Sequence, residues 1–392
     1  MANQAGTRMA AQERLSQVAD HLKASEADIP TGREALLEKH PDDIVVTCAL
    51  RTPITKGGKG SFKDTPAADL LHGAFVNLIS RSGIDPALVE DIAVGAAALA
   101  AGFPVTTAVK SLNRQCSSGL QACVDVANMI RVGMIEVGIG AGVESMSSQY
   151  GPGAVTEFSP LLESVPESAN CKVPMGVLSE KMAKSKNIPA QNKTPSPPPE
   201  AAQKAGLFDE EIAPLTVKWT DPKTDEEKTI TVSKDDGVRQ AMTAESLAKI
   251  RPAFAKDGSI HAGNASQISD GAAAVLLMKR STALRLSQPI LGKFVTASVV
   301  GVPPLLMGVG PAAAIPPCLQ RAGISVADVD IWEINEAFAS QCLYCIEELG
   351  IPMEKVNPKG GAIAFGHPLG CTGARQISTL LYELRRRGRG WV

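Results

Sequence analysis

From residue 44 onward the apolar positions along the chain form two alternating patterns. Ile44, Val45 and Val46 are consecutive β-branched residues, which favour a strand. Later apolar runs are separated by segments in which apolar residues recur at helical spacing, as in amphipathic helices. Strands that alternate with helices are typical of an α/β fold with helices packed on a sheet. We therefore expect an α/β fold that begins near residue 44.

A weaker signal is an internal repeat, in which features of the first half recur at offsets of about 240 to 250 residues. The matched features are a β-branched run at 44–47 and 294–300, a helical stretch that ends at Gly83 and at Gly323, and a polar turn before a helix at 115–119 and 366–370. Matches in the same order predict two duplicated halves. We place the first at 43–147, completed by about 266–288, and the second at 289–392.

The residues between the halves, 148–265, are less regular, and we expect them to form an inserted loop domain. Residues 187–200 are rich in proline, which lacks the backbone donor of a regular helix or central strand. Residues 221–236 are charged and turn-rich, with a short strand predicted at 229–232.

Residues 1–42 form a polar N-terminal extension. On a helix, Leu15 and Leu22 would share one face, with Arg14 and His21 stacked beside it. This arrangement resembles the N-terminal peroxisomal targeting nonapeptide, and it predicts a peroxisomal location and recognition by an import receptor. An ordinary amphipathic helix remains the alternative.

The composition removes several classes of function. The chain has 39 basic and 41 acidic residues, so charge gives no argument for nucleic acid or a membrane surface as a partner. No apolar run approaches the roughly 20 residues of a membrane-spanning helix. The irregular spacing of the eight cysteines does not indicate a disulfide framework. Cys342 and Cys345 lie within a helical pattern, where core or surface thiols are favoured over a zinc or redox site.

Cys116 is the strongest candidate nucleophile. A β-compatible run at 105–109 leads to it, and a helical pattern follows through Leu120, Val124 and Ile130. A cysteine at a strand-to-helix turn would lie near free backbone N–H groups and the positive end of the helix dipole, which favour a thiolate. A buried structural cysteine is the alternative, and the polar residues around Cys116 argue against it.

A nucleophilic thiol needs a base, and His367 is the histidine whose surroundings fit that part. Gly366 and Gly370 flank it, and Pro368 fixes the turn into the next helix. In the duplicated halves, His367 would occupy the position that corresponds to Cys116, so a pseudo-twofold axis could bring them together. The same turn could instead hold a phosphate, although neither the dinucleotide-binding nor the P-loop spacing is present.

Several segments resemble the signatures of the thiolase family, in the order in which the family has them. They are NRQCSSGLQA at 113–122, GNASQISDGA at 263–272, NEAFASQ at 335–341 and GGAIAFGHPLGCTGAR at 360–375. Within the family, the chain is most similar to the peroxisomal 3-ketoacyl-CoA branch. The resemblance implies two βαβαβαββ halves in an αβαβα layered arrangement, and a homodimer.

The resemblance also implies an acyltransferase of fatty-acid β-oxidation, which cleaves 3-ketoacyl-CoA with CoA to acetyl-CoA and a shortened acyl-CoA. Cys116 would carry the acyl group, and His367 would activate Cys116 and help to hold the enolate oxygen. Asn335 would position a water at that oxygen, with a helix cap as the alternative. Ser266 and Met175 would contact the pantetheine arm of CoA. CoA is then a substrate, and neither a cofactor nor a metal is implied.

The sequence departs from the family pattern in three places. The resemblance implies a C-terminal strand with Cys-x-Gly, whose cysteine moves the proton, and the chain reaches Val392 before such a strand. We give Cys371 no such part. Residues 94–102 are short for the family's loop, and the proline-rich stretch replaces a helix. The alternative function is therefore a catalytically impaired thiolase-like protein that binds CoA esters or regulates a partner.

Overall fold

The computed structural model describes residues 32–93, 97–150, 159–186, 188, 199–238 and 244–388. Its centre is a seven-stranded sheet in the order β4-β3-β5-β8-β1-β9, with β2 paired to β8. Strands β1 and β5 flank β8 in antiparallel pairing, whereas β3 is parallel to β4 and β5. The strands of this sheet are β1 Ile44–Arg51, β2 Thr55–Lys56, β3 Asp91–Ala93, β4 Ala108–Lys110, β5 Val137–Ser145, β8 Ser269–Lys279 and β9 Gly292–Phe294.

Helices pack on both faces of the sheet. The α-helices in the described ranges are α1 Arg33–Leu37, α2 Ala67–Ser82, α3 Ala97–Ala100, α4 Ser118–Arg131, α5 Met146–Gln149, α6 Pro160–Glu163, α7 Pro166–Ala169, α8 Met175–Ser185, α9 Pro199–Lys204, α10 Ala244–Ala248, α11 Arg280–Arg285, α12 Gly310–Ala322, α13 Ala339–Leu349, α14 Ala362–Phe365 and α15 Thr372–Arg386. Short 3-10 helices occupy Pro86–Leu88, Asn170–Lys172, Pro304–Val309, Val326–Asp328, Met353–Lys355 and Leu369–Cys371. Within these ranges, none of the helices has the length and apolar character needed to cross a membrane.

Strand β1 shows how the sequence determines the packing of helices on both faces of the sheet. All of its residues are buried. Val45 and Leu50 belong to the core under α2, whereas Ile44 and Val46 belong to the core under α4 and α15. Because successive side chains of a strand point to opposite faces, a strand covered on both faces must be apolar nearly throughout. The early β-branched run is therefore a central strand.

Two helix ends predicted from the repeat are confirmed. Helix α2 ends at Gly83, which caps it with a φ of 62°, and α12 ends at Gly323 with a φ of 66°. A positive φ in a helix cap is inexpensive only for glycine. The same device therefore ends the corresponding helix in each half.

The strands predicted in the second half are only partly present. Strand β9 ends at Phe294 and pairs antiparallel with β1, while residues 295–300 form no strand. Near Ile331 the backbone forms only an isolated bridge, between Trp332 and Val356. β-branched residues favour an extended backbone, but a strand also needs a partner for its N–H and C=O groups. Among the described residues, 295–300 pair with no strand, and Val295 O and Ala297 O accept instead from the side chains of Arg131 and Arg321.

The region between the halves contains short helices and one hairpin. Strands β6 (Leu215–Thr220) and β7 (Glu227–Val232) pair antiparallel, so the strand predicted at 229–232 is confirmed and is longer than expected. Helix α9 begins at Pro199, inside the proline-rich stretch, because proline is tolerated in the first turn of a helix. Most of that stretch, residues 94–96 and the targeting pattern with Arg14, Leu15, His21 and Leu22 lie outside the described residues.

A buried ionic network joins the sheet, the loop region and the second half. The Arg51 side chain is fully buried at the end of β1, and its Nε donates to Glu211 Oε1 at 2.7 Å while Nη1 donates to Asp235 Oδ1 at 2.7 Å. Lys359 Nζ donates to Glu211 Oε2 at 2.7 Å. Lys359 directly precedes the glycine-rich segment 360–375. The network therefore fixes the start of the segment that carries His367.

Candidate active site

Cys116 lies in a tight turn between β4 and α4. Gln115 has a φ of 49°, which is a left-handed conformation for a residue with a side chain. The hydroxyl of Ser118 stabilises the turn, because it accepts from Arg114 N at 2.9 Å and donates to Gln115 O at 2.6 Å. The thiol itself is half-buried. The predicted strand-to-helix turn is confirmed.

The predicted acidity of this thiol is wrong for the resting protein. Burial raises the pKa of Cys116 to about 11, the backbone N–H lowers it somewhat, and the negative charge of Glu144 raises it again. Helix α4 begins only at Ser118, and its N-cap is Ser117, so Cys116 precedes the helix. Desolvation of the thiolate therefore outweighs the helix dipole. A thiol in this state needs a base.

His367 is held in a defined orientation for that purpose. It is buried, and its Nδ1 lies 2.6 Å from Thr372 Oγ1. The Thr372 hydroxyl donates to Pro368 O at 3.2 Å, so Oγ1 must accept from an Nδ1–H. This leaves Nε2 with its lone pair, 3.2 Å from Asn335 Nδ2. The tautomer that these contacts select is the one that can accept a proton at Nε2.

The charge state of His367 agrees with that tautomer. Burial, and then the positive charge of Arg375, lower the pKa of His367 to about 3. The imidazole is therefore neutral near pH 7, so the Nε2 lone pair is not already protonated. Once protonated, Nε2–H would become a donor for a developing oxyanion.

The turns that carry Cys116 and His367 meet at the starts of α4 and α15. A Cβ built at Gly119 would lie 2.7 Å from Gly370 O and 2.9 Å from Ala374 N, which is closer than real Cβ atoms approach. A Cβ built at Gly370 would lie 3.8 Å from the Cβ of Ser118. Glycine is therefore required at this crossing. The contact supports the predicted pairing of Cys116 with His367 across duplicated halves.

Asn335 is fixed by its own neighbours and contacts His367 directly. The Asn357 side chain accepts from Ile334 N at 2.9 Å and donates to Ile334 O at 2.8 Å, which holds the residue before Asn335. The alternative of a helix cap is wrong, because the N-cap of α13 is Phe338. Asn335 Oδ1 is buried without a hydrogen-bond partner among the described residues. An oxygen of this kind fits the expected part of holding a water.

Met175 and Ser266 lie beside the segment that follows Asn335. Ser266 N donates to Ala337 O at 3.0 Å, and Ala265 forms a bridge with Phe338. Met175, the first residue of α8, packs against the cluster that contains Ala265 and Phe338. Both side chains are half-buried. The structure thus brings the two predicted CoA contacts together, next to the segment that carries Asn335.

Sequence reasoning missed Thr372 and Glu144. Thr372 sets the His367 tautomer, and Glu144 Oε2 accepts from Gly370 N at 3.0 Å. Thr372 lies within the family-like segment 360–375, but a polar side chain inside a motif does not reveal its partner. Cys371 is fully buried in the apolar core, and burial raises its pKa to about 12. Within the described ranges, no group of histidine, cysteine and acidic side chains could hold a metal ion.

Comparison with known proteins agrees with this architecture. The thiolase N-terminal domain model matches residues 44–281, and the thiolase C-terminal domain model matches residues 288–391. The peroxisomal 3-ketoacyl-CoA thiolase of Yarrowia lipolytica is 52% identical over 395 residues, which cover 96% of this chain and 94% of the relative.

Solved structures give the same result. The crystal structure of the dimeric peroxisomal thiolase of Saccharomyces cerevisiae has a TM-score of 0.82 and 44% identity, covering 90% of this chain and 94% of that chain. Another structure of peroxisomal 3-ketoacyl-CoA thiolase from that yeast has a TM-score of 0.68 and 40% identity, covering 89% of this chain and 93% of that chain. That protein is described as five α-β-α-β-α layers built from two core domains of identical topology.

The chain belongs to the thiolase family. The predicted layered α/β thiolase fold is confirmed by these neighbours, and the relatives named above are peroxisomal 3-ketoacyl-CoA thiolases.

Proposed function

We propose that this thiolase cleaves 3-ketoacyl-CoA with CoA to acetyl-CoA and a shortened acyl-CoA, with Cys116 as the acyl carrier. The observation that supports it most directly is the crossing of the Cys116 and His367 turns at Gly119 and Gly370. The names of the relatives support the same reaction and a peroxisomal place in fatty-acid β-oxidation. They favour the enzyme over a catalytically impaired CoA-binding protein.

The first half-reaction transfers the acyl group to the protein. His367 Nε2 takes the proton of the Cys116 thiol, and the sulfur attacks the C3 carbonyl carbon of the substrate. The C2–C3 bond breaks, and its electron pair forms the enolate of acetyl-CoA. His367 Nε2–H and a water held by Asn335 stabilise the enolate oxygen. One such preorganised donor is worth on the order of 3 kcal/mol.

The second half-reaction releases the acyl group. The enolate carbon takes up the proton that His367 Nε2 accepted from Cys116, and acetyl-CoA departs. A new CoA thiol then gives its proton to His367 Nε2 and attacks the Cys116 thioester. The bond to the Cys116 sulfur breaks, the shortened acyl-CoA leaves, and the Cys116 thiolate takes the proton back from His367. We assign Cys371 no part in these proton transfers, because its side chain is fully buried in the core.

The remaining assignments concern binding and partners. We assign Met175 and Ser266 to the pantetheine arm of CoA, because both lie beside the segment that follows Asn335. CoA is a substrate in this scheme, and we propose no resident cofactor. We also propose a homodimer, since the S. cerevisiae relative is described as dimeric. The import receptor remains a proposed partner, through Arg14, Leu15, His21 and Leu22.

The first half-reaction can be tested directly. Radiolabelled acetyl-CoA, incubated with the purified chain, should acetylate Cys116, and peptide mass spectrometry should locate the label. The Cys116→Ala variant should take up no label, while Cys171→Ala, which changes an exposed cysteine, should label as the parent does. Label on another residue would contradict the assignment of Cys116.

A substrate series tests the reaction itself. Purified protein with CoA and 3-ketoacyl-CoA esters of increasing length should release acetyl-CoA, and the series separates chain-shortening thiolysis from synthesis of acetoacetyl-CoA. Tight binding of the esters without acetyl-CoA release would instead identify the impaired CoA-binding protein.

A further inference from the structure

Glu144 is an acidic side chain of the active site to which the proposed reaction gives no part. It lies near the C-terminal end of β5 and is half-buried. Its Oε2 accepts a hydrogen bond from the backbone N–H of Gly370 at 3.0 Å. Gly370 belongs to the turn that follows His367. The carboxylate therefore holds the histidine turn against the central sheet.

The cysteine turn reaches the same point. A Cβ built at Gly370 would lie 3.2 Å from Val143 O, 3.4 Å from Glu144 Oε2 and 3.8 Å from Ser118 Cβ. Ser118 in turn closes the loop around Cys116 through its hydrogen bonds to Arg114 and Gln115. The carboxylate, the histidine turn and the cysteine turn thus converge on Gly370.

We propose that Glu144 is a positioning residue of the active site, which anchors the His367 turn through Gly370 and places a negative charge beside the Cys116 turn. The proposal rests on the proposed function for its catalytic meaning. The hydrogen bond and the charge are separate contributions, because a neutral side chain of the same shape can supply the acceptor without the charge.

The charge acts on the thiol. Burial is the main cause of the raised pKa of Cys116, and the negative charge of Glu144 raises it further. Burial raises the pKa of Glu144 itself, the Gly370 N–H lowers it, and the charge of Asp270 on β8 raises it again. Burial is the main cause of the raised pKa of Cys371, the residue before α15. The charge of Arg375 lowers that pKa, and the charge of Glu144 raises it.

The consequence is that the Cys116 thiol reacts slowly with reagents in bulk solvent. With Glu144 ionised, loss of the Cys116 proton to solvent is unfavourable, whereas transfer to His367 keeps the negative sulfur next to a new positive imidazolium. Opposite charges favour each other at short range and like charges do not. The thiol therefore reacts with a substrate seated beside His367 and resists oxidants and alkylating agents in bulk solvent.

The Glu144→Gln variant tests the charge. Its amide oxygen can still accept from Gly370, so the fold and the turn remain. We expect the pH at which iodoacetamide alkylates Cys116 half-maximally to fall by up to about one unit, which is up to about a tenfold faster reaction at pH 8. The matched control is Glu136→Gln, which removes the same charge from an exposed residue that pairs with Arg285. An unchanged pH midpoint in Glu144→Gln would overturn the proposal.

The Glu144→Ala variant tests the anchor. It removes both the charge and the acceptor, so we expect the alkylation midpoint to fall as in Glu144→Gln, with a further loss of kcat that the amide variant does not show and little change in KM. Equal kcat in the two variants would overturn the anchoring part. Alkylation needs no substrate, so it tests Glu144 independently of the reaction. A parent protein that is alkylated at Cys116 but is not acetylated there would contradict the proposed function and would not contradict the proposal for Glu144.

Discussion

The Nδ1 atom of His367 lies 2.6 Å from the hydroxyl oxygen of Thr372, which itself donates to Pro368 O at 3.2 Å. The two contacts fix the proton on Nδ1 and leave Nε2 as the acceptor nitrogen, 3.2 Å from Asn335 Nδ2. Thr372→Val keeps the shape but leaves a buried Nδ1–H unpaired, at a cost of about 1–3 kcal/mol. The imidazole would then favour the other tautomer, and we expect kcat for thiolysis to fall roughly ten- to a hundredfold.

The matched control is Thr372→Ser, which restores the hydroxyl. Its kcat should return to near the parent value, as measured by acetyl-CoA release from acetoacetyl-CoA. A serine variant as slow as the valine variant would show that the lost methyl group matters and the hydrogen bond does not.

The crossing of α4 and α15 gives a second prediction. Gly119→Ala would place a Cβ 2.7 Å from Gly370 O, so the two turns must move apart. Alanine is intrinsically better than glycine in a helix by about 1 kcal/mol, so any loss of stability must come from this contact. We expect a lower Tm and at least a tenfold loss of kcat.

Gly310→Ala is the control for that variant. Gly310 is the first residue of α12, has a φ of -48°, and a Cβ there would meet nothing within 4 Å. Thermal unfolding should therefore give a Tm equal to or above that of the parent, with unchanged kcat. If Gly119→Ala behaves like Gly310→Ala, the two turns do not touch as described.

Sequence patterns predicted the elements of the first half well because each is set locally. β1 is apolar apart from Thr47 and the terminal Arg51 because it is buried on both faces, and Gly83 ends α2 through its left-handed cap. The strand predicted at 294–300 depended on a distant partner, and only β9 at its start is paired. Pairing between remote segments is not encoded in a local pattern.

The candidate site shows the same difference between features set by the local sequence and features set by the whole fold. Motif chemistry singles out Cys116 and His367, the family resemblance singles out Asn335, and the flanking elements predict the turn at Cys116. The charge state of the thiol could not, since burial outweighs the helix dipole and burial depends on the whole fold. The role of Thr372 could not be predicted either, because its contact with His367 depends on the shape of one turn.

The buried imidazole predicts how stability changes with pH. Burial lowers the pKa of His367 to about 3 in the folded protein, whereas an unfolded histidine titrates near about 6.5. Between these values the unfolded chain binds a proton that the folded chain excludes, so the stabilising contribution is complete above about pH 6.5 and is lost as the pH falls. The slope is at most about 1.4 kcal/mol per pH unit.

We expect the free energy of unfolding in urea to fall less between pH 7 and pH 5 in His367→Asn than in the parent, by up to about 2 kcal/mol. Burial lowers the pKa of His261 as well, but both proteins retain it, so its effect cancels. An equal fall in the two proteins would mean that His367 titrates in the folded protein as it does in the unfolded chain, so that burial does not lower its pKa.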